Sequence, residues 1–264
     1  MAKLRDKYWI WGHPENTFLN MYNHTIPCRM TPMEGALYMG ARNMFMVPNG
    51  NITEVNVRQY NYSFTTLDHV GWMVTRHPDY YEPIIAEAKD FPNVDCMVFD
   101  DFFRIKGTQD PVSVEQMMAI RDRLHNNEVR PMEMWMVLYT HEFAEPKIPD
   151  SNVDPYIAPF DGIIMWNWWE KNIGQFEEKY KWFREHTEGK KRMLGLYIYD
   201  FGDHKQADPE VVRWQLDRYA ELLRAGEIDG IVLHTNAMAD CDYPAFKVVH
   251  EWMKEHGDEE LSLA

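Results

Sequence analysis

Short apolar runs alternate with amphipathic stretches along the whole chain. Eight of the runs have the length and composition of buried strands, at residues 7–12, 43–48, 69–75, 94–100, 133–140, 161–167, 192–200 and 229–235. Two of the intervening segments begin with a hydroxyl followed three residues later by Glu or Gln, at Thr31–Glu34 and Ser113–Gln116, the pattern of a helix capping box. Other helices are predicted at 55–66, 79–91, 169–187, 209–225 and 243–256.

The alternation of strands and helices predicts a parallel sheet, because a chain that crosses over on a helix returns in the same direction. Eight such units in 264 residues predict one α/β domain, residues 1–264, folded as a (β/α)8 TIM barrel. No GxGxxG or GxxxxGK[ST] motif favours an open nucleotide-binding sheet. The connection after the fifth run carries four prolines, so its helix should be short or irregular.

Three of the predicted strands share one register: VDCMVFDDF (94–102), FDGIIMWNW (160–168) and IDGIVLHTN (228–236). Because strand side chains alternate between faces, this alignment puts Asp100, Trp166 and His234 on one face at the C-terminal ends. The opposite face carries only apolar residues, which suits contact with helices: Met97, Phe99, Ile163, Met165, Ile231 and Leu233. Barrel active sites lie at the C-terminal strand ends, so Asp100 should enter the mouth of the barrel and Asp101 should turn toward a loop or helix end.

Charge and cysteine content exclude several classes of partner. The net charge of -15 argues against nucleic acid and anionic membranes as partners. No apolar run is long enough for a signal peptide or a membrane span, so a cytoplasmic location is expected unless a leader peptide has been removed. Cys28, Cys96 and Cys241 have neither zinc-site nor disulfide spacing and are interpreted as reduced thiols. The oligomeric state stays open.

Aromatic and polar residues accumulate at the predicted strand ends. Sugar rings stack on Trp and Tyr, while their hydroxyls form hydrogen bonds with carboxylate, amide, guanidinium and imidazole groups. The mouth residues therefore predict a small-molecule or oligosaccharide substrate. The candidate substrate-binding residues are His13, Asn16, Arg76, Tyr139, His141, Trp166, Asn167, Trp168, Tyr199, His234 and Asn236.

Cleavage of a glycosidic bond requires two carboxyl groups flanking that bond. Asp100 is the first candidate, with Asp101 beside it and Glu142 or Asp200 as the partner acid. Strand alternation weakens Asp200, because its neighbour Tyr199 is predicted to face inward. Indole rings around the mouth would raise the pKa of a nearby carboxylic acid and help it to donate a proton.

The strand openings carry a resemblance to a known class. Phe160-Asp-Gly-Ile-Ile and Ile228-Asp-Gly-Ile-Val resemble those of (β/α)8 glycoside hydrolases, and VDCMVFDD resembles their fourth strand with Cys96 in place of glycine. The chain as a whole is similar to small glycoside hydrolase-like barrels of uncharacterised families, which implies a glycoside hydrolase-like enzyme of carbohydrate metabolism.

The sequence departs from two catalytic patterns of that class. In the chitinase-like families the proton donor stands two residues beyond the position of Asp100, where this chain has Phe102. The Asn-Glu pair that ends the fourth strand in another clan is replaced by Asp100-Asp101. The resemblance therefore implies the fold and a substrate class but no particular mechanism.

Two alternatives remain open at this point. A metal-dependent isomerase, epimerase or hydrolase could use the eligible ligands His13, Asp100, His141, Glu142 and His234. No HxH or HExxH spacing supports that arrangement, so neither a metal nor another cofactor is expected. A noncatalytic sugar-binding barrel would keep the tryptophans without needing the acids.

Overall fold

A computed structural model describes residues 2–48, 54–75, 77–101, 113–143 and 152–261. Eight parallel strands close into a barrel in the order β1-β10-β7-β6-β5-β4-β3-β2. The (β/α)8 barrel predicted from the sequence is therefore confirmed. The strands of the ring are β1 (Tyr8–Gly12), β2 (Asn43–Met46), β3 (His69–Val74), β4 (Val94–Phe99), β5 (Glu133–Tyr139), β6 (Gly162–Trp166), β7 (Lys191–Tyr197) and β10 (Gly230–His234).

A short antiparallel hairpin follows β7 and changes the course of the seventh predicted run. Strands β8 (Tyr199–Asp200) and β9 (Lys205–Gln206) pair with each other outside the barrel. The backbone N–H of Ile198 donates to the carbonyl of His234 at 3.1 Å, which ends the regular ladder between β7 and β10. The predicted run 192–200 is thus divided between a barrel strand and a hairpin strand.

Helices cover the outside of the ring where the sequence predicts them. They are α1 (Pro32–Met39), α2 (Glu54–Phe64), α3 (Pro78–Glu87), α4 (Val114–His125), α5 (Asp154–Ile157), α6 (Phe176–His186), α7 (Pro209–Arg224) and α8 (Pro244–His256). Both predicted N-termini are confirmed: Thr31 Oγ1 accepts from the N–H of Glu34 at 3.2 Å, and Ser113 Oγ accepts from that of Gln116 at 3.0 Å. The short α5 agrees with the proline-rich connection.

The predicted division between the two strand faces is also confirmed. All six residues of the apolar column pack in the layer between sheet and helices. Val98, Ile164, Trp166 and Val232 instead belong to a separate cluster inside the ring. The interior is thus packed with aliphatic and indole groups, and polar side chains can gather at its two ends.

The cysteines and helices bear on two further expectations. Cys28, Cys96 and Cys241 are buried free thiols, as predicted, and burial raises the pKa of Cys28 to about 12. In the part of the chain that the structure describes, no helix is both long and apolar enough to cross a bilayer.

Candidate functional site

A cavity of about 120 Å³ opens at the C-terminal end of the barrel. It is smaller than the roughly 300 Å³ at which sites for drug-sized ligands begin, so its size suits a single ring-sized group. Its walls are formed by Trp11, His13, Phe18, Tyr22, Asp100, Asp101, Tyr139, Trp166, Trp168, Tyr197, Phe201 and His234. Seven of these are sequence-predicted site residues: His13, Asp100, Asp101, Tyr139, Trp166, Trp168 and His234.

Asp100 enters the cavity directly after β4 and is held by two donors. Its Oδ1 accepts from the hydroxyl of Tyr139 at 3.0 Å and from the backbone N–H of Asp101 at 2.7 Å. Tyr139 ends the adjacent strand β5, so strand pairing brings the phenol and the carboxylate together. The two bonds fix the orientation of the carboxylate at the cavity wall.

Two phenols lie next to this carboxylate in the cavity wall. Tyr139 and Tyr197 both line the cavity and are close enough to influence each other's ionisation. Burial, reinforced by the negative charge of Asp100, raises the pKa of both phenols well above their ordinary value. Both therefore remain protonated at neutral pH and serve as hydrogen-bond donors.

Asp101 is the second carboxylate that lines the cavity. It is exposed, and its backbone adopts a left-handed conformation with φ of 50°. Asp tolerates this region better than most residues because its short polar side chain can bond locally. The left-handed residue ends the direction of β4 and keeps both acids at the rim.

Two buried histidines form the opposite part of the cavity. The ring centroids of His13 and His234 are 5.3 Å apart, and the two residues are only 7% and 8% exposed. Neither ring nitrogen of His13, nor Nδ1 of His234, has a hydrogen-bond partner among the described residues. Buried ring nitrogens without hydrogen-bond partners are suited to bind a ligand hydroxyl, which can both donate and accept.

Burial keeps both imidazoles neutral. It lowers the pKa of His13 to about 3. For His234, burial and then the neighbouring His13 lower the pKa well below its ordinary value. Each ring therefore offers one N–H donor and one acceptor nitrogen at neutral pH, which matches the two roles of a sugar hydroxyl.

Asn236 is a sequence-predicted binding residue that instead positions His13. It is fully buried and does not line the cavity. Its Oδ1 accepts from the backbone N–H of His13 at 2.7 Å, and its Nδ2 donates to the backbone carbonyl of the same residue at 2.8 Å. This paired contact fixes the loop after β1 against the end of β10.

Aromatic side chains make up most of the remaining wall. Trp166, which ends β6, lies edge-on to Trp11 at 5.8 Å and close to the ring of Tyr197 at 4.6 Å. Trp168 is half-buried and meets Tyr197 edge-on at 5.6 Å. The half-buried indole is the surface best placed for a sugar ring to stack on.

The two predicted partner acids lie outside the wall of this cavity. Glu142 is buried in the 3-10 turn after β5, where its Oε2 accepts from the backbone N–H of Tyr139 at 2.9 Å. Asp200 is 2% exposed and lines a separate cavity of about 10 Å³ together with Glu170. Burial raises the pKa of Glu170, and the charge of Asp200 adds to this effect.

The remaining predicted binding residues also contact other parts of the protein. Asn16 accepts from the backbone N–H of Cys28 at 2.9 Å, and Tyr199 donates to the carbonyl of Tyr22 at 2.8 Å. Asn167 donates to the carbonyl of Trp169 at 2.7 Å, and the ring of His141 lies between those of Tyr139 and Trp169. Arg76 lies outside the described residues.

Five residues of the cavity wall were not among the sequence-predicted candidates, and only some of them could have been predicted from the sequence pattern. Trp11 and Tyr197 stand on barrel strands at inward positions, so strand alternation could have found both. Phe18, Tyr22 and Phe201 come from segments between elements, where no period assigns a face. Across the described ranges, no three His, Cys, Asp or Glu side chains gather in a way that could hold a metal ion.

Gly195 is required for the position of Trp166. A Cβ at residue 195 would lie 2.1 Å from Cδ2 of that indole, which is fully buried and packed against Trp11. We expect Gly195→Ala to lower the free energy of unfolding by about 2 to 3 kcal/mol, as overpacking of a core does. Urea denaturation measures this loss. The matched change Gly174→Ala meets no atom within 4 Å and should have little effect; an equal loss in both variants would contradict the packing argument.

Similarity to known proteins is found in the fold and not in the sequence. No protein-family model matches the chain, and no curated protein matches it significantly. Among solved structures, it is similar to a mutant of the active domain 2 of a thermostable chitinase from Pyrococcus furiosus, complexed with chito-oligosaccharides, with a TM-score of 0.59 and 9% identity over 98% of this chain and 99% of that one. It is also similar to a GH99 endo-alpha-mannosidase from Bacteroides thetaiotaomicron, with a TM-score of 0.55 and 12% identity over 88% and 84% of the two chains.

A third structure shows how far such similarity reaches. The tryptophan synthase complex from Pyrococcus furiosus contains a chain with a TM-score of 0.51 and 11% identity, over 96% of this chain and 98% of that one. The three proteins carry different activities on one architecture. The resemblance to glycoside hydrolase barrels is thus confirmed at the level of the fold, and the chemistry has to be argued from the cavity.

Proposed function

We propose that this protein is a carbohydrate-active enzyme, a glycoside hydrolase that acts at the C-terminal mouth of the barrel. The observation that supports this proposal most directly is the position of Asp100. It is a carboxylate oriented by Tyr139 in a small cavity whose other walls are indole, phenol and neutral imidazole. A sugar ring needs the same combination: apolar surface for its faces, neutral donors and acceptors for its hydroxyls, and an acid at the bond to be cleaved.

Asp100 and Asp101 are the proposed catalytic carboxylates, because both line the cavity. In this proposal the exposed Asp101 donates a proton to the leaving glycosidic oxygen, and Asp100, held in one orientation, takes a proton from the water that attacks the anomeric carbon; exchange with solvent then restores both carboxyl groups. Glu142 contributes by holding the backbone of Tyr139, and Asp200 supports the wall from the small cavity behind Trp168.

Substrate binding is assigned to the groups that face the cavity. Trp168 would stack on the sugar ring, while His13 and His234 would each exchange a hydrogen bond with a hydroxyl. A cavity of about 120 Å³ admits one ring more readily than a chain of rings, which favours the removal of a terminal sugar.

A panel of nitrophenyl glycosides and short oligosaccharides tests this function. Turnover of at least one terminal glycoside is expected. Trp168→Ala should raise its KM by about tenfold, because an aromatic contact is worth up to about 1.5 kcal/mol beyond its area. Trp214→Ala is the matched control, since this indole lies 41% exposed on α7, and its KM should equal that of the wild type.

Other outcomes of the panel would favour the alternatives. Saturable sugar binding without turnover of any glycoside would indicate a noncatalytic sugar-binding barrel. Turnover that depends on an added divalent cation and disappears with a chelator would indicate a metal-dependent enzyme. An equal rise of KM in the two tryptophan variants would remove the assignment of Trp168.

A further inference from the structure

The N-terminal end of the barrel contains a second cavity, far from the mouth and larger than it. Its volume is about 280 Å³, against about 120 Å³ at the mouth. Since one water needs only about 10 to 15 Å³ on this scale, the space admits a molecule of several heavy atoms. It is lined by Asp6, Lys7, Trp9, Asn43, His69, Asp95, Cys96, Pro131, Glu133, Trp135, Lys191, Met193 and Asp229.

Four carboxylates surround this cavity, against two lysines and one histidine. Asp6 lies two residues before β1 and Asp229 directly before β10, and these two strands are neighbours in the ring. Asp95 and Glu133 stand on β4 and β5, which are neighbours on the opposite side of the ring. The acids thus form two pairs that come from opposite sides of the ring, and all four line the cavity.

The existing contacts of these acids involve backbone N–H groups, the indole N–H of Trp135 and two partly exposed basic side chains. Asp6 accepts from the N–H of Lys3, and Asp229 from the N–H of Arg192, each at 2.8 Å. Asp95 pairs with the ring of His69 at 2.5 Å, and Glu133 pairs with Lys191. Among the described residues, Asp6 and Asp229 therefore form no ion pair, whereas Asp95 and Glu133 each form one.

Asn43 supplies an independent indication of a ligand. The side chain is fully buried on β2, two residues before the inward-facing Phe45. Its Nδ2 donates to the carbonyls of Asp6 and Tyr8, each at 3.0 Å, whereas its Oδ1 has no partner among the described residues. A buried carbonyl oxygen is rarely left without a donor, so this end of the cavity requires an N–H or O–H group.

Part of the cavity wall is apolar. Trp9, Trp135, Met193 and Cys96 are all buried side chains of the barrel interior, and all four line the cavity. A ligand that bridges the acid pairs must therefore present methylene groups between two charged ends.

We propose that this cavity binds a linear aliphatic diammonium ion. One ammonium group would lie between Asp6 and Asp229 and donate to the free carbonyl oxygen of Asn43. The other would lie beside Asp95 and Glu133, and the methylene chain would pack against Trp9 and Trp135. This site is separate from the proposed sugar site and does not depend on it.

Calorimetric titration at low ionic strength tests this proposal with four probes. The diamines 1,4-diaminobutane and 1,5-diaminopentane should bind saturably at one site. Butylamine should bind about tenfold more weakly, and 1,4-butanediol should not bind. Asp229→Asn and Asp95→Asn should each weaken diamine binding by about three- to fivefold, the effect of losing one partly exposed ion pair. Asparagine can still accept the backbone or ring N–H, so both variants should fold.

The controls distinguish binding at a specific site from the nonspecific attraction of cations to a chain with a net charge of -15. Asp122→Asn removes an exposed acid of α4 that does not line the cavity and should leave diamine affinity unchanged. The ring protons of His69 should shift in NMR spectra during the diamine titration, and those of His13 should not. Equal weakening by all three variants, binding of the diol as strong as that of the diamine, or no saturable binding would overturn the proposal.

Discussion

Asp100→Asn is expected to lower kcat for a cleavable glycoside by about 10³-fold, within the range of about 10² to 10⁴ that a positioned acid or base contributes. KM should change little. Asparagine has the same shape, and its Oδ1 can still accept from Tyr139 and from the N–H of Asp101. The substitution therefore removes the charge and the proton-transfer capacity of the side chain while preserving the wall of the cavity. Steady-state kinetics on the best substrate of the glycoside panel measures both constants.

Two further variants are compared with Asp100→Asn. Asp101→Asn should reduce kcat less than Asp100→Asn, because the exposed Asp101 can be replaced in part by water. Asp122→Asn, on the outer helix α4, should behave as the wild type. If Asp100→Asn keeps more than a tenth of the wild-type kcat, the catalytic role belongs to another acid, and the proposed arrangement of the site is wrong.

The part of the site that lies on strands could be predicted from the sequence. Side chains on a strand alternate with a period of two, so the shared register of three strands was sufficient to bring Asp100, Trp166 and His234 to one cavity. The same period separated Met97 and Phe99, which face the helices, from Val98, which faces the interior. Closure of the ring then placed residues from distant parts of the chain beside one another.

The part of the site that lies between strands could not be predicted in this way. Phe18, Tyr22 and Phe201 reach the cavity from loops, whose course depends on tertiary contacts and not on a repeating pattern. Tyr199 was assigned to the mouth by continuing the period of β7, but β7 ends at Tyr197 and a hairpin begins. Glu142 lies in a 3-10 turn that directs its carboxylate to the backbone of Tyr139.

Fold similarity alone leaves the chemistry open, and the reason is physical. The barrel closes wherever alternating strands and helices bury their apolar faces, whatever side chains stand at the rim. The residues that distinguish this chain are the acid after β4, the half-buried indole after β6 and the two imidazoles, whose ring nitrogens are partly without hydrogen-bond partners among the described residues. The imidazoles also affect the stability of the protein, and this effect can be measured without knowledge of the substrate.

Acidification is expected to destabilise the folded protein through His13. Burial lowers its pKa to about 3 in the folded state, against an ordinary value of 6.5. Between these two values the unfolded chain binds a proton that the folded chain does not, so the stability falls as the pH falls through this window. At about 1.4 kcal/mol per pH unit, the contribution of His13 to this loss is about 3 kcal/mol between pH 7.5 and pH 4.5.

The size of this effect is isolated by comparing pH dependences. His13→Asn removes the titrating group. Between pH 7.5 and pH 4.5, the free energy of unfolding of this variant should therefore fall by about 3 kcal/mol less than that of the wild type. Urea denaturation at each pH gives both differences. His204→Asn, at an exposed position whose φ of 55° asparagine tolerates, should keep the wild-type pH dependence. Equal losses in the wild type and His13→Asn would show that the folded protein accommodates a charged imidazole at residue 13. In that case the cavity would not be the neutral, hydroxyl-binding site on which the proposed function depends.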